Sequence, residues 1–408
     1  MAIGSTRVAS GTGSASAVDD EQDVIAAQAV ETAARLVPLL GSKAEEARTL
    51  GRPTDEAIEA LEDSGLLMLM APRIRGGRQI SLSTFIDVGE QLARGCASTA
   101  WVASIYIGTV YMVAGFSDEA QDDVYSTGTP KVLAAFNPTG EAVPVSGGYR
   151  LTGTWRFCTG QHHANWALLS SLIMRDGRPP MPAQFLVPRS ECRSADDWDV
   201  SGLSGTGSSS LSADGVFVPE HRVLPFSDPT TVLSLSKALA DDPYFRMPFI
   251  PFFATGATGT PLGMASAALD LMKDRVQKRG ITYTQYTRQA DATITHFQMD
   301  SAVMKLDQAR FHSERAAATV ALVAEDPSDT VLRVRCRADA AWTTSLCREV
   351  VEIVQQASGA SAIHRKDPLS RIVSDIQALS VHSFILHSTN AELHGRVLCG
   401  LEPGVPFI

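Results

Sequence analysis

No two cysteines in this chain stand as a C-x-x-C pair. The six that occur, Cys96, Cys158, Cys192, Cys336, Cys347 and Cys399, are scattered. That argues against a structural zinc site or a disulfide framework and fits a reducing cytoplasm. No uninterrupted apolar run approaches the roughly 20 residues that cross a bilayer, so no membrane partner is expected. Lysine is scarce, seven residues against 28 arginines, and the net charge of −10 comes without a basic cluster. Nucleic acid is therefore not an expected partner. A nicotinamide-binding fingerprint is also missing, because G-T-G-S at Gly205 to Ser208 lacks the strand before it and the helix after it. The first twenty residues are rich in Ser, Ala and Gly, with neither an apolar signal core nor an arginine-rich amphipathic pattern. They read as a disordered tail.

What remains is an ordinary globular composition, 44% apolar and 20% charged. At 408 residues the chain exceeds what one core usually serves, so two or three domains are expected. Residues 21–126 read as helical. Val24, Ala27, Val30, Ala33, Ala34 and Leu36 recur at helical spacing, Thr54 is placed to cap a helix over Asp55 to Ser64, and Gly65 closes it. A helix starts near Leu82, and the almost uncharged run from Ala97 to Tyr111 predicts a buried one. Residues 127–228 read as β. In Y-R-L-T-G-T-W-R-F-C-T-G (Tyr149 to Gly160), β-prone residues alternate between glycine turns. F-L-V-P-R (Phe185 to Arg189) and V-F-V-P-E-H-R-V-L-P (Val216 to Pro225) are strand ends punctuated by proline. Residues 229–408 begin with a proline-bearing crossing and continue as helices over 256–277, 294–323, 331–356 and 367–395.

The order of these pieces resembles the acyl-CoA dehydrogenase superfamily, from about Asp20 to the C-terminus. The form W-x-F-x-T-G at Trp155 to Gly160, with histidine and Trp166 just after, resembles its branch of reduced-flavin-dependent, two-component (group D) monooxygenases. The resemblance implies a mostly α fold: an N-terminal helical domain, a middle β-barrel-like domain and a C-terminal four-helix bundle. It further implies a cytoplasmic homotetramer. Reduced FMN or FAD would come from a separate reductase and react with O2 to a C4a-hydroperoxide, which oxygenates a small molecule.

Site residues follow from the same resemblance. Phe157, Cys158 and Thr159 occupy the loop that meets the flavin ring, with Thr159 offering a hydroxyl to its polar edge. Thr206, Ser208 and Ser209 lie in a second loop that approaches the flavin or its phosphate, where glycine allows close backbone approach. Arg279 stands where the superfamily contacts the flavin phosphate in a neighbouring subunit, a task suited to a guanidinium. His382, in R-I-V-S-D-I-Q-A-L-S-V-H (Arg371 to His382), is the expected catalytic proton carrier on the last helix. No metal is implied.

Two departures from the family pattern narrow the reading. Ser383 stands where a carboxylate base follows this motif in some dehydrogenases. Gly108 and Thr109 stand where aromatic hydroxylases of the branch often carry a second histidine, for which the loop residues His162 and His163 could substitute. The first substrate class is a phenolic or polycyclic aromatic compound, such as a polyketide intermediate in antibiotic biosynthesis. The alternatives are N-oxygenation of a nucleotide-linked amino sugar, acyl-CoA dehydrogenation, and a non-catalytic flavin-binding scaffold. A dry aromatic slot would favour hydroxylation, and a wide mouth with pyrophosphate-binding arginines the amino sugar.

Overall fold

The computed structural model describes residues 17–226, 234–405 and 408. The expected tail falls outside them, except that residues 17–20 already belong to the first helix. Residues 227–233, where the expected β part passes into the crossing, also lie outside the described part.

Five helices come first: α1 (Ala17–Leu50), α2 (Asp55–Asp63), α3 (Leu82–Gly95), α4 (Ala97–Val113) and α5 (Asp118–Tyr125). Thr54 caps α2 by accepting the Ala57 N–H at 3.3 Å, and Gly65 turns the chain away at φ 73°. α4 is apolar on every side and is buried on almost every side, as its lack of charge predicts. α1 corrects one expectation. Its stretch Glu21–Leu50 is, by length and composition, long and apolar enough to cross a membrane. Glu31 and Arg35 are the only charges in its apolar part, where Gln28 and Thr32 also break the run, so a search for unbroken runs passes over it. In the fold, Ala29, Ala33, Leu40 and Ala44 of this helix pack into the helical core, while most of the apolar stretch is not buried.

Seven strands follow: β1 (Val132–Val145), β2 (Gly148–Trp155), β3 (Trp166–Ile173), β4 (Met181–Pro188), β5 (Arg193–Ser194), β6 (Leu211–Pro219) and β7 (Val223–Pro225). They form one sheet in the order β5-β6-β2-β1-β3-β4-β7. Every pairing is antiparallel except β1 with β3. Alternation along the strands sorts side chains into two layers. Leu133, Leu169, Phe185 and Leu211 pack on one face, whereas Val132, Leu168 and Leu186 meet Phe116 and Val124 from the helical side.

The chain then returns to helix in α6 (Phe249–Gly256), α7 (Gly259–Lys278), α8 (Thr293–Glu325), α9 (Thr330–Ser358), α10 (Pro368–Leu379) and α11 (His387–Leu398). α7 crosses α3 closely. A Cβ on Gly263 would stand 2.3 Å from the Glu90 carbonyl oxygen, so only glycine permits the contact. The last segment, expected as one helix over 367–395, is two. α10 stops at Leu379, and the intervening turn is held by Asn390 Nδ2, which donates to the Phe384 and Leu386 carbonyls at 3.2 and 2.8 Å. His382 therefore sits in a turn between helices, not on a helix.

Candidate active site

A cavity of about 740 Å³ lies between the helix-facing side of the sheet, α4, α6 and the α10–α11 turn. Its floor at one end is built by two loops. The indole of Trp155 donates to the Ser170 carbonyl at 2.7 Å and passes over Gly140 and Gly153, which leave room for it. This fixes the turn that follows. Beyond the last β2–β6 pair, Cys158 N–H donates to Ser209 O (3.3 Å) and Gly160 N–H to Thr206 O (3.1 Å), and the Tyr106 hydroxyl donates to Gly160 O. The two loops thus extend the strand pairing irregularly, with Phe157 at φ 60° and Leu203 at φ 53°. Left-handed backbone at non-glycine residues is costly, and both of these residues line the cavity.

Three buried hydroxyls meet at this end. Thr206 Oγ1 lies 2.8 Å from Leu203 O and 2.7 Å from Ser208 Oγ, which in turn lies 2.9 Å from Thr159 Oγ1. Each hydroxyl has one hydrogen. Thr206 gives its hydrogen to a carbonyl, so Ser208 donates to Thr206 and Thr159 donates to Ser208. The row therefore ends in the free lone pairs of Thr159. Asp375, on α10, anchors the other end by accepting the Leu203 N–H at 2.6 Å. Burial pushes the Asp375 carboxyl up to about 6, opposed by that hydrogen bond and by Arg371 and Arg48.

The opposite end is aromatic. Phe136 packs against Phe249 and Phe253 at ring distances of 4.4 and 5.0 Å, and Tyr111 stacks on Phe252 at 4.5 Å. His382 stands among these rings, 5.3 Å from Trp101 and 5.4 Å from Phe384, both edge-on. Burial alone drives its pKa down to about 4, so the imidazole is neutral at ordinary pH. The Phe384 N–H approaches Nδ1 at 3.4 Å, a contact too long to lock the ring. Of the described lining residues only Arg156, Tyr111 and His382 are ionisable, and none is a carboxylate. The Tyr111 hydroxyl is engaged by the backbone of Tyr244 and Met247.

The cavity brings together Phe157, Thr159, Thr206, Ser208 and His382 of the expected site, but not Cys158, Ser209 or Arg279. The Cys158 thiol points into the sheet's other core, donating to Trp155 O, and burial pushes it up to about 12. The backbone N–H groups of Cys158 and Thr159 are spent within the protein, on Ser209 O and Phe157 O, so the hydroxyl is what Thr159 can offer. Arg279 is exposed at the end of α7, donating to Ser361 Oγ at 2.9 Å. His162 and His163 do not line the cavity. His163 Nε2 pairs with Asp55 at 2.9 Å, and His162 packs against Gly207. Nor does Thr109 supply a polar group there, since its hydroxyl donates to backbone carbonyls, one of them Val132 O at 2.6 Å. Phe253 lies over Gly108, 3.2 Å from where a Cβ would be.

Sequence reading passes over the aromatic walls, Gln184 and Trp198, and it gives Asp375 only as the aspartate of a family motif. F-I-P-F-F at Phe249 to Phe253 was the one visible signal, but nothing local says that its rings face a cavity. A flavin ring needs apolar faces and hydrogen-bonding partners along one edge. Phe157, Leu203 and Trp198 supply the first. The hydroxyl row and the Trp198 Nε1–H, buried and without a protein partner, supply the second. The residues present fit such a ring.

Two family models match the chain: acyl-CoA dehydrogenase, N-terminal domain, over residues 19–129, and acyl-CoA dehydrogenase, C-terminal domain, over residues 256–386. The oxygenase subunit HsaA of a flavin-dependent monooxygenase from Rhodococcus jostii is 31% identical, over 85% of this chain and 92% of its own length. The oxygenase component of an FADH2-dependent resorcinol hydroxylase from Rhizobium is 29% identical over 90% of this chain and 95% of its own. Among solved structures, XiaF from Streptomyces in complex with FADH2 and glycerol superposes with a TM-score of 0.90, at 28% identity, covering 96% of this chain and all of that one.

Proposed function

Because the chain belongs to the acyl-CoA dehydrogenase family, as a reduced-flavin-dependent monooxygenase, we propose that its substrate is a phenolic or polycyclic aromatic compound, which it hydroxylates. The observation that carries this reading is the cavity lining: stacked rings, one neutral imidazole and no carboxylate among the described residues. Bound reduced flavin activates O2 and supplies one oxygen atom to the substrate, the other leaving as water.

The chain's own residues bind, orient and handle protons. Thr159, at the free end of the hydroxyl row, accepts a hydrogen bond, which suits the N–H that reduced flavin carries at N5 and oxidised flavin lacks. Phe249, Phe252 and Phe253 hold the substrate ring and exclude water. His382 takes the phenolic proton. A ring held down to about 4 is a weak base in the free protein, but a phenolate forming beside it stabilises the imidazolium and raises its affinity for the proton. Arg279, exposed and without a carboxylate partner in the described chain, is assigned to the flavin phosphate of a neighbouring subunit. We assign a homotetramer on the same footing, supported by Phe297, Met304 and Phe311, which stand exposed one heptad apart on α8. A separate reductase fits relatives named as oxygenase subunits and components. A cytoplasmic setting fits the free thiols, five of them buried.

The amino-sugar reading would call for several arginines at the cavity, and Arg156 is the one that lines it. Acyl-CoA dehydrogenation would call for a carboxylate base there.

The test is turnover with photoreduced flavin and isotopically labelled O2. A naphthol should gain one labelled oxygen, and a nucleotide-linked amino sugar should be left unchanged. Oxidation of the amino sugar alone, or bleaching of bound oxidised flavin by a fatty acyl-CoA, would overturn the reading.

A further inference from the structure

Among the described residues, two polar groups on the cavity wall have no protein partner: Trp198 Nε1, assigned above to the flavin's polar edge, and the Gln184 side-chain oxygen. Gln184, on β4, lines the cavity at 5% exposure, and its Oε1 is buried without a hydrogen bond. Its cross-strand neighbour on β3 is Ser170, also buried and also lining the cavity. The two lie on the helix-facing side of the sheet, in line with the apolar Leu168 and Leu186. An apolar pair here would continue that row and leave nothing unsatisfied.

A buried amide atom left without a partner costs free energy, and the great majority of such groups in native proteins are satisfied. Ser171 Oγ, next to Ser170, is also without a partner, but it is packed inside the protein and faces the sheet's other layer beside Gly140. Gln184 differs because it borders open space large enough for a ligand. His382 makes no hydrogen bond to it in this arrangement.

We propose that Gln184, with Ser170 beside it, is a substrate-reading subsite that binds a second polar group on the aromatic substrate, a hydroxyl by first choice. A hydroxyl can donate to Oε1 and accept from the Ser170 hydroxyl or the amide nitrogen, which a bare aromatic edge cannot do. The preferred substrate is therefore a ring system with two oxygen functions, one handled at His382 and the other read at Gln184. This inference rests on the aromatic hydroxylase reading.

The test is anaerobic titration, with reduced FMN present, of the wild type and Gln184→Met, an apolar replacement of similar shape. The probes are a naphthol and the isomeric dihydroxynaphthalenes. At least one diol should bind the wild type about 10-fold more tightly than the naphthol, the size of one well-made hydrogen bond. Gln184→Met should erase that gain while leaving naphthol binding unchanged. The ligand-free variant should also melt higher, by about 1–3 °C, because an unsatisfied group has been removed. A gain that survives in Gln184→Met, or is absent from the wild type with every diol, would overturn the proposal. A lower melting temperature would do the same, by making the amide a structural group. Failure of the wild type to bind or hydroxylate the naphthol is a different result. It would take down the aromatic reading, and this inference with it.

Discussion

The two ends of the cavity solve opposite problems. At the loop end each hydroxyl hydrogen is already committed within the protein, from Thr159 through Ser208 and Thr206 to the Leu203 carbonyl, and Asp375 anchors the Leu203 N–H. At the aromatic end His382 holds no strong hydrogen bond, and on the sheet wall between the two ends Gln184 Oε1 holds none. Apart from the Trp198 Nε1–H, the first end is preorganised for a partner that is always the same. The second is unsatisfied until a partner arrives, which is how a site discriminates between ligands.

Breaking the aromatic end at its proton-handling residue should have the largest effect. His382→Ala should lower product formation by about 10²- to 10⁴-fold, the usual contribution of a general acid–base group. Reduced flavin and O2 should continue to be consumed, now yielding hydrogen peroxide, so product and peroxide are measured together. Full coupling in the variant would remove His382 from the chemistry.

The next prediction compares the ends by their titration. His382 in the fold lies near 4, below its ordinary 6.5, so its stabilising contribution is present above 6.5 and is lost as pH falls toward 4. Asp375 lies near 6, above its ordinary 3.8. Its contribution is present below 3.8 and is lost as pH rises through 6. Between pH 4 and 6 the two nearly cancel. Asp375→Asn should therefore become more stable relative to wild type across that window as pH rises, by about 2 kcal/mol, and His382→Phe less stable by a similar amount. Urea unfolding at a series of pH values reads both slopes. Parallel slopes in the two variants would show that the ends do not carry these opposed charges.

The smallest effect is expected at the loop end. Thr159→Val keeps the shape and removes the terminal acceptor. Reduced-flavin affinity should fall by about 10-fold, the worth of one hydrogen bond, while binding of oxidised flavin changes less. Equal losses for both redox states would refute the directional reading of the hydroxyl row.

How much of this was legible in the sequence differs between the same two ends. The loops announced themselves through Trp155, the flanking glycines and strand alternation, because those residues act locally. The aromatic end did not. Its walls come from α4, β1, α6 and the α10–α11 turn, and no local pattern says that Trp101, Phe136, Phe253 and Phe384 converge. The turn that holds His382 carries neither glycine nor proline. It exists because Asn390 Nδ2, in the next helix, donates to its carbonyls, while Arg337 Nε donates to Asn390 Oδ1 at 2.8 Å. Gln184 reads from sequence as an ordinary strand residue, since an unmet hydrogen bond is visible only in three dimensions. α1 shows the converse error, in which counting unbroken apolar runs hid a stretch whose two charges leave it apolar on average.

Gly108 and Phe253 also bear on how this cavity could change over generations. With the Phe253 ring 3.2 Å from the position of a Cβ on Gly108, the two residues share one volume. A mutation that put histidine at 108 would press on the ring and require it to give way, and one that shrank Phe253 alone would open a void. Neither single step leads smoothly to a second imidazole in this wall. The pair is coupled: while the phenyl ring occupies the space, a lineage gains a second histidine there only by changing both positions together, or by passing through a damaged intermediate.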